Sequence, residues 1–284
     1  MTTIIIEDTT LHLAHPDELN LVWVGQEELM AQILAAWMVV AEQDLPLNPR
    51  LLGKPGVGKT TLAYAAGKRL GREVYLFQAT MDTRPEDLLI TPVISEAGKI
   101  QYVASSVVTA MLLGGVAVVD EANRMSEKSW ASLAPLLDNR RYVESIVAGV
   151  KIKAHPDFRI CVTMNDDAST FEVPEYIHSR LMPQIVVDFP DREEERRILA
   201  QNLPFAPEVV LDYVVGFLQR AHEARERFTV RDGINIARYA LKLAKAQADK
   251  NKGHLAEITT RKMLQTFLTQ AVRQVLGEEA LEYL

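Results

Sequence analysis

Apolar residues along this chain follow two periods, and the change from one to the other divides it. Leu29, Ile33, Leu34, Trp37 and Met38 recur at helical spacing and predict a helix to about Ala41, which Pro46 and Pro49 close off. Leu51-Leu52 reads as the end of a strand. Leu62 to Ala66 is helix-forming, Gly71 stops that helix, and Glu73 to Phe77 reads as a second strand. Met81 to Leu89 is a turn and short helix. Ile90 to Val103 folds back on itself about Ser95-Glu96-Ala97-Gly98 as a hairpin, and a helix follows from about Ser106 to Leu113. Gly115 to Glu121 is an uninterrupted apolar strand that ends in two carboxylates. A helix capped by Ser126 runs to Leu137, Asp138 to Ala154 forms another hairpin, and Phe158 to Thr163 and Ile185 to Phe189 are further strands. Met1 to Leu21 is an extended lead-in with a short strand over Thr3 to Ile6. Strands alternating with helices predict an α/β fold, a parallel sheet covered on both faces. Past Pro190 the strand period stops. Helical patterns run from Asp191 through Arg197, from Pro207 to Arg225, from Arg231 to Asp249 and from about Leu255 to Leu276. The expected organisation is therefore an α/β domain over residues 1–190 and a small all-helical domain over 191–284.

One loop carries recognisable chemistry. Gly53-Lys54-Pro55-Gly56-Val57-Gly58-Lys59-Thr60-Thr61 fits the phosphate-loop pattern. Its glycines let the backbone turn tightly and aim several N–H groups at phosphate oxygens, with the helix N-terminus behind them. Lys59 can reach the β- and γ-phosphates, and Thr60 offers a hydroxyl to Mg²⁺. The strand Val116 to Asp120 supplies the second half of such a site. Asp120 would stand beside the Mg²⁺ held by Thr60, and Glu121 would orient and activate a water. Transfer to water needs a group like Glu121, which a small-molecule kinase replaces with its substrate, so tandem carboxylates favour an NTPase. Asn165, at the tip of the next strand, is either a turn former or a side chain that holds the same water or the γ-phosphate. Arg180 is either a surface residue or, in a ring, a finger that reaches a neighbour's site. Arg231 is either a helix-surface arginine or a contact to the γ-phosphate of its own subunit.

Composition narrows the class. Apolar residues make up 48% and charged residues 24%, as in an ordinary globular protein. The net charge of -7, from 31 basic and 38 acidic residues, weighs against a dedicated nucleic-acid binder. Cys161 is the single cysteine and sits in an apolar run, which predicts a buried, inert thiol. No apolar run approaches the roughly 20 residues a membrane span needs, and Met1 to Glu7 does not look like a signal peptide, so no membrane insertion and a cytoplasmic setting are expected. The histidines show no metal-ligand spacing.

With these motifs in this order the chain resembles the AAA+ ATPases, and more narrowly their MoxR-type branch near the dynein-related and McrB-like groups. The resemblance rests on Val24-Gly25-Gln26-Glu27, Gly53 to Thr61, Pro85 to Leu89, Asp120-Glu121-Ala122-Asn123-Arg124 and Ile177 to Leu181, and it covers the chain from about Val22 onward. It implies an AAA+ core followed by a helical lid. Gly25 and Gln26 would lie near the adenine. Gly53, Pro55, Gly56, Val57, Gly58, Lys59, Thr60 and Thr61 would hold the phosphates, with Thr60 and Asp120 on Mg²⁺. Glu121, Lys59, Asn165 as sensor 1, Arg180 as the trans-acting finger and Arg231 as sensor 2 would serve catalysis. Gln78 would restrain the glutamate, and the hairpin after Leu89 would face the pore or client. The family pattern is not matched everywhere: Met164-Asn165-Asp166 stands where Gln-Asn-Pro is more familiar, Lys54 adds a charge to the phosphate loop, and no acidic residue immediately precedes Arg180. The implied function is Mg²⁺-dependent ATP hydrolysis in a ring, a hexamer, driving remodelling, maturation or activation of a protein client. The resemblance also implies a partner with a von Willebrand factor A domain. The alternatives are a nucleic-acid-directed motor or restriction-type NTPase, and a nucleotide-gated assembly module with little turnover.

Overall fold

In the computed structural model, residues 2–166, 172–250 and 261–284 are described. In chain order the strands and helices are β1 (Thr3–Ile6), β2 (Thr9–His12), α1 (Glu27–Trp37), β3 (Arg50–Gly53), α2 (Lys59–Arg69), β4 (Val74–Gln78), α3 (Pro85–Leu88), β5 (Ile90–Ile94), β6 (Ile100–Ala104), α4 (Ser106–Leu113), β7 (Val116–Asp120), α5 (Glu127–Leu133), β8 (Tyr142–Ser145), β9 (Val150–Lys153), β10 (Arg159–Asn165), α6 (Glu175–His178), β11 (Gln184–Val186), α7 (Arg192–Asn202), α8 (Glu208–Glu223), α9 (Val230–Lys250) and α10 (Arg261–Leu276). The expected start of the last helix near Leu255 lies outside the described residues.

The chain forms two compact units. The first holds residues 1–23, 27–54 and 58–187, and the second holds 24–26, 55–57 and 188–284. The first is built on a five-stranded sheet in the order β11-β3-β10-β7-β4, with every pairing parallel. Val116 to Val119 and all seven residues of β10 are buried, which explains why these strands read as unbroken apolar runs rather than alternating ones. Helix α2 lies close on the sheet. A Cβ on Gly67 would stand 2.6 Å from Val74 Cγ2 and 3.3 Å from Val116, so only glycine permits that approach. Helix α1 is tied to the central strand by Trp37, whose indole N–H donates to the Ile160 carbonyl at 3.1 Å, and whose own carbonyl accepts from Arg159 Nε at 2.7 Å. Cys161 is fully buried and its thiol pKa is pushed up by that burial.

Several elements depart from expectation. The lead-in forms two strands, and β2 pairs in parallel with β6, so the β5–β6 hairpin is widened into a four-stranded sheet β1-β2-β6-β5. Leu11 and Leu13 of this lead-in are buried in the main core. Helix α1 stops at Trp37 rather than Ala41. The β-branched Val39 and Val40 favour other conformations, and Val40 N–H donates to Asp44 Oδ2 at 2.9 Å instead. Helix α5 stops at Leu133 rather than Leu137, because Pro135 has no N–H to donate back along the helix, although Ala134 before it keeps helical geometry. The last strand is Gln184–Val186, shifted from Ile185 to Phe189, although Val187 N–H still pairs with the Leu52 carbonyl at 2.7 Å.

The second unit is mainly helical. Asp191 caps α7 by accepting from Glu194 N–H at 2.8 Å. Along α9, Ile236, Ala240, Ala244 and Ala248 are buried at four-residue spacing, whereas Arg231, Arg238, Lys242 and Lys245 are exposed, so its charges form a solvated face. Among the described residues, Glu195 departs from this segregation. Its side chain is 0% exposed, one oxygen accepts from Gln219 Nε2 at 2.9 Å, and Oε1 has no partner. Burial pushes its pKa up to about 7, against the opposing effects of Gln219 and Arg192. A carboxyl with a raised native pKa contributes full stability below its unfolded value of about 4.3 and loses it as pH rises to about 7, a penalty on the order of 3 kcal/mol. Glu195→Gln should therefore gain stability over the parent as pH rises from 5 to 7.5 and hold a constant advantage above that. Denaturant unfolding of the full chain across this range measures it, and parallel curves for the two proteins would disprove the assignment.

Candidate functional site

The site is set by strand register. In the pairing of β10 with β3, Asn165 lies opposite Gly53, where the phosphate loop begins. In the pairing of β10 with β7, Val162 lies opposite Val119, one residue before Asp120. The carboxyl ends of the three central strands therefore open side by side, at the edge where parallel α/β sheets bind ligands.

At this edge the first unit brings together Lys59, Thr60, Asp120, Glu121 and Asn165. Lys59 is 5% exposed, and its ammonium donates to the carbonyls of Gly53 and Lys54, each at 2.8 Å. Thr60 Oγ1 donates to Asp120 Oδ1 at 2.7 Å. Asn165 Nδ2 donates to Glu121 Oε1 at 3.1 Å. Glu121 itself has φ +52°, a left-handed conformation costing a non-glycine residue roughly 1–2 kcal/mol. In the loop, Gly58 has φ +100°, and a Cβ there would stand 3.1 Å from the Trp23 ring, so a side chain at this position would be both strained and crowded.

Three residues at this edge were not singled out as functional from the sequence. Thr163 Oγ1 accepts from Glu121 N–H at 3.1 Å and donates to Asp120 Oδ1. Asn123 is buried and pairs reciprocally with the backbone of Asn165, donating to its carbonyl at 2.8 Å and accepting its N–H at 3.3 Å. Arg124 Nε forms an ion pair with Glu121 Oε2, without hydrogen-bond geometry. Gln78 does not bond Glu121 in this structure: its amide donates to the Ala79 carbonyl at 3.5 Å, while Glu121 is engaged by Asn165 and Arg124. The pairing of Asn123 with Asn165 follows from the short helical turn at Ala122–Arg124, which turns the chain from the end of β7 toward β10.

The other candidates lie elsewhere. Arg180 directs Nε and Nη2 to Asp138 Oδ2 at 3.3 and 3.4 Å, donates to the Tyr176 carbonyl, and stands 5.9 Å from the Tyr176 ring centroid. Hydrogen bonds from Arg140, together with those from Arg180, hold the Asp138 pKa down at about 2. In the second unit, Gly25 and Gln26 have φ +76° and +44°, and Gln26 N–H donates to Glu194 Oε1 at 2.8 Å. Pro55, Gly56 and Val57 also belong to that unit, and a Cβ on Gly56 would stand 2.8 Å from Thr229 Oγ1. Thr229 binds Asp232 at the start of α9, and Arg231 beside it is exposed. Thr61 lies in the first turn of α2.

The donor set suits the expected ligands. A hydroxyl and a carboxylate already in contact form a hard-oxygen pair of the kind Mg²⁺ takes, and a buried ammonium resting on loop carbonyls is a cation placed for an anion.

Residues 50–181 match the family model described as the AAA domain (dynein-related subfamily). An uncharacterized protein of Staphylococcus haemolyticus is 26% identical over 179 residues, covering 61% of this chain and 68% of that protein. The mouse von Willebrand factor A domain-containing protein 8 is 26% identical over 230 residues, covering 72% of this chain, which spans only 12% of that protein's length. A RuvB variant of Thermotoga maritima aligns over 88% of this chain and 89% of its own, with a TM-score of 0.49 and 15% identity.

The clamp on Asn165 makes a prediction of its own. Asn123→Ala should remove the side-chain partner of a backbone N–H and a carbonyl, and lower stability by about 2 kcal/mol. Asn123→Asp should do no better, since an ionised carboxylate cannot donate to the Asn165 carbonyl. Urea unfolding measures both, and a loss below about 0.5 kcal/mol would remove Asn123 from the site's framework.

Proposed function

We propose that the protein hydrolyses ATP with Mg²⁺, on the match of residues 50–181 to the AAA domain of the dynein-related subfamily. The observation that carries the reading is the convergence of Lys59, Thr60, Asp120, Glu121 and Asn165 at the ends of three adjacent strands. The loop N–H groups and the Lys59 ammonium bind and orient the phosphates, Lys59 exchanging its carbonyl partners for phosphate oxygens. Thr60 and Asp120 hold Mg²⁺, which when bound neutralises charge on the transferred phosphoryl group. Glu121 orients a water and takes its proton, and Asn165 fixes the carboxylate that does so. Gly25 and Gln26 lie near the adenine in this reading, and Arg231 contacts the γ-phosphate from the lid.

We further propose that the chain works as a ring, a hexamer, in which Arg180 of one subunit completes the site of the next. Its work is remodelling, maturation or activation of a protein client in the cytoplasm, beside a protein with a von Willebrand factor A domain. The name of the mouse relative supports that last partner. The net charge of -7 favours a protein client over nucleic acid. A nucleotide-gated assembly module is the second reading, and the engagement of both Glu121 oxygens, by Asn165 and Arg124, favours it.

ATPase rate against protein concentration, with mass measured with and without ATP, separates these readings. The parent rate per molecule should rise with assembly. Arg180→Ala should assemble but turn over roughly a thousandfold more slowly, and Glu121→Gln should bind ATP without turnover. A rate independent of dilution and of Arg180 would sink the ring, and a parent that assembles with ATP without hydrolysing it would establish the gated module.

A further inference from the structure

Thr163 occupies a position that neither phosphate binding nor the sheet requires. It lies on β10 two residues before Asn165, so both side chains emerge on the same face of the strand. Its side chain is 1% exposed. A hydroxyl has one proton and two lone pairs, and here the proton goes to Asp120 Oδ1 while a lone pair accepts the N–H of Glu121 at 3.1 Å. One atom therefore binds both halves of the carboxylate pair, the side chain of one residue and the backbone of the next.

That second bond falls on the residue whose backbone most needs holding. Glu121 sits at φ +52°, and from that backbone its carboxylate accepts from Asn165 Nδ2 at 3.1 Å. A left-handed residue other than glycine persists where its surroundings over-determine it. The first bond bears on the metal side. Asp120 Oδ1 receives two hydroxyls, Thr60 and Thr163. Only Thr60 stands in the phosphate loop, so when a cation draws on Thr60, the Thr163 bond is the one that keeps Asp120 in place.

We propose that Thr163 is a positioning residue that fixes the spacing between the metal-side carboxylate of Asp120 and the water-side carboxylate of Glu121. This rests on the ATPase reading above, but its consequences extend to metal binding, which can be read without turnover. Thr163→Val keeps the shape and the strand preference while removing the hydroxyl. Thr163→Ser restores the hydroxyl. Thr109→Val is the control, a buried threonine whose hydroxyl accepts Ala14 N–H at 3.0 Å on helix α4, outside the site.

The experiment measures steady-state ATPase and, separately, binding of a fluorescent ATP analogue as Mg²⁺ is titrated, with a thermal melt of each protein. Thr163→Val should lower kcat at least tenfold with KM within threefold of the parent, and should raise the Mg²⁺ concentration for half-maximal analogue binding severalfold. Thr163→Ser should return both to within threefold of the parent, and Thr109→Val should change neither, whatever its melting temperature. The proposal is overturned if Thr163→Val keeps parental kcat and Mg²⁺ dependence, or if Thr163→Ser is as impaired as valine. A parent that binds the analogue with Mg²⁺ but never turns over would defeat the ATPase reading, and the Mg²⁺ titration would then decide the role of Thr163 alone. If Thr163→Val does not fold, the serine variant and its Mg²⁺ titration decide it.

Discussion

Pairing of β10 with β3 on one side and β7 on the other carries the whole arrangement, because every group at the candidate site is measured from those two registers. Asn165 opposite Gly53 and Val162 opposite Val119 leave no freedom in where the phosphate loop, the carboxylate pair and the Asn165 amide stand relative to each other. A slip of one residue in β10 would send Thr163 and Asn165 to the opposite face of the sheet. The burial of all seven residues of this strand makes such a slip costly, since it would move polar side chains into the apolar layer behind. Packing behind the sheet, including the close approach at Gly67, thereby serves the geometry at its edge.

The loop and the carboxylate pair were legible because they are local patterns with chemical meaning: a glycine-rich turn into a helix, and two acids at the end of an apolar strand. The alternation of strands and helices, and the change of period near Pro190, were legible for the same reason. What escaped depends on partners distant in sequence. Thr163 is an ordinary strand residue until Asp120 and Glu121 are placed beside it, and Asn123 is an ordinary turn residue until it meets the backbone of Asn165. The strand β1 was expected over Thr3 to Ile6, but β2 is only four residues, too short for a period to declare itself, and besides β1 it pairs with a hairpin some ninety residues on. Pro135 was a legible signal that the helical period around it obscured. Gln78 was assigned by analogy of position, whereas the contact seen on Glu121 comes from a charge nearby in sequence, Arg124, three residues on.

Each reactive group in the isolated chain is already partnered within the chain. Lys59 rests on two carbonyls, Thr60 on Asp120, Glu121 on Asn165 and Arg124, and Arg180 on Asp138 and Tyr176. In the proposed function, nucleotide binding and subunit contact would therefore be exchanges of partners, and the free energy available from them is the difference between old and new bonds. An exchange of this kind keeps polar groups satisfied in both states, which avoids the 1–3 kcal/mol cost of an orphaned buried group. It also makes the two ends of the exchange sensitive to different things. Lys59 leaves neutral carbonyls for a charged phosphate, a change that favours the bound state strongly. Arg180 leaves a carboxylate that Arg140 also binds, so Asp138 stays neutralised after Arg180 departs. On that ground the arginine can be withdrawn without stranding a charge, as the proposed service to a second subunit would require.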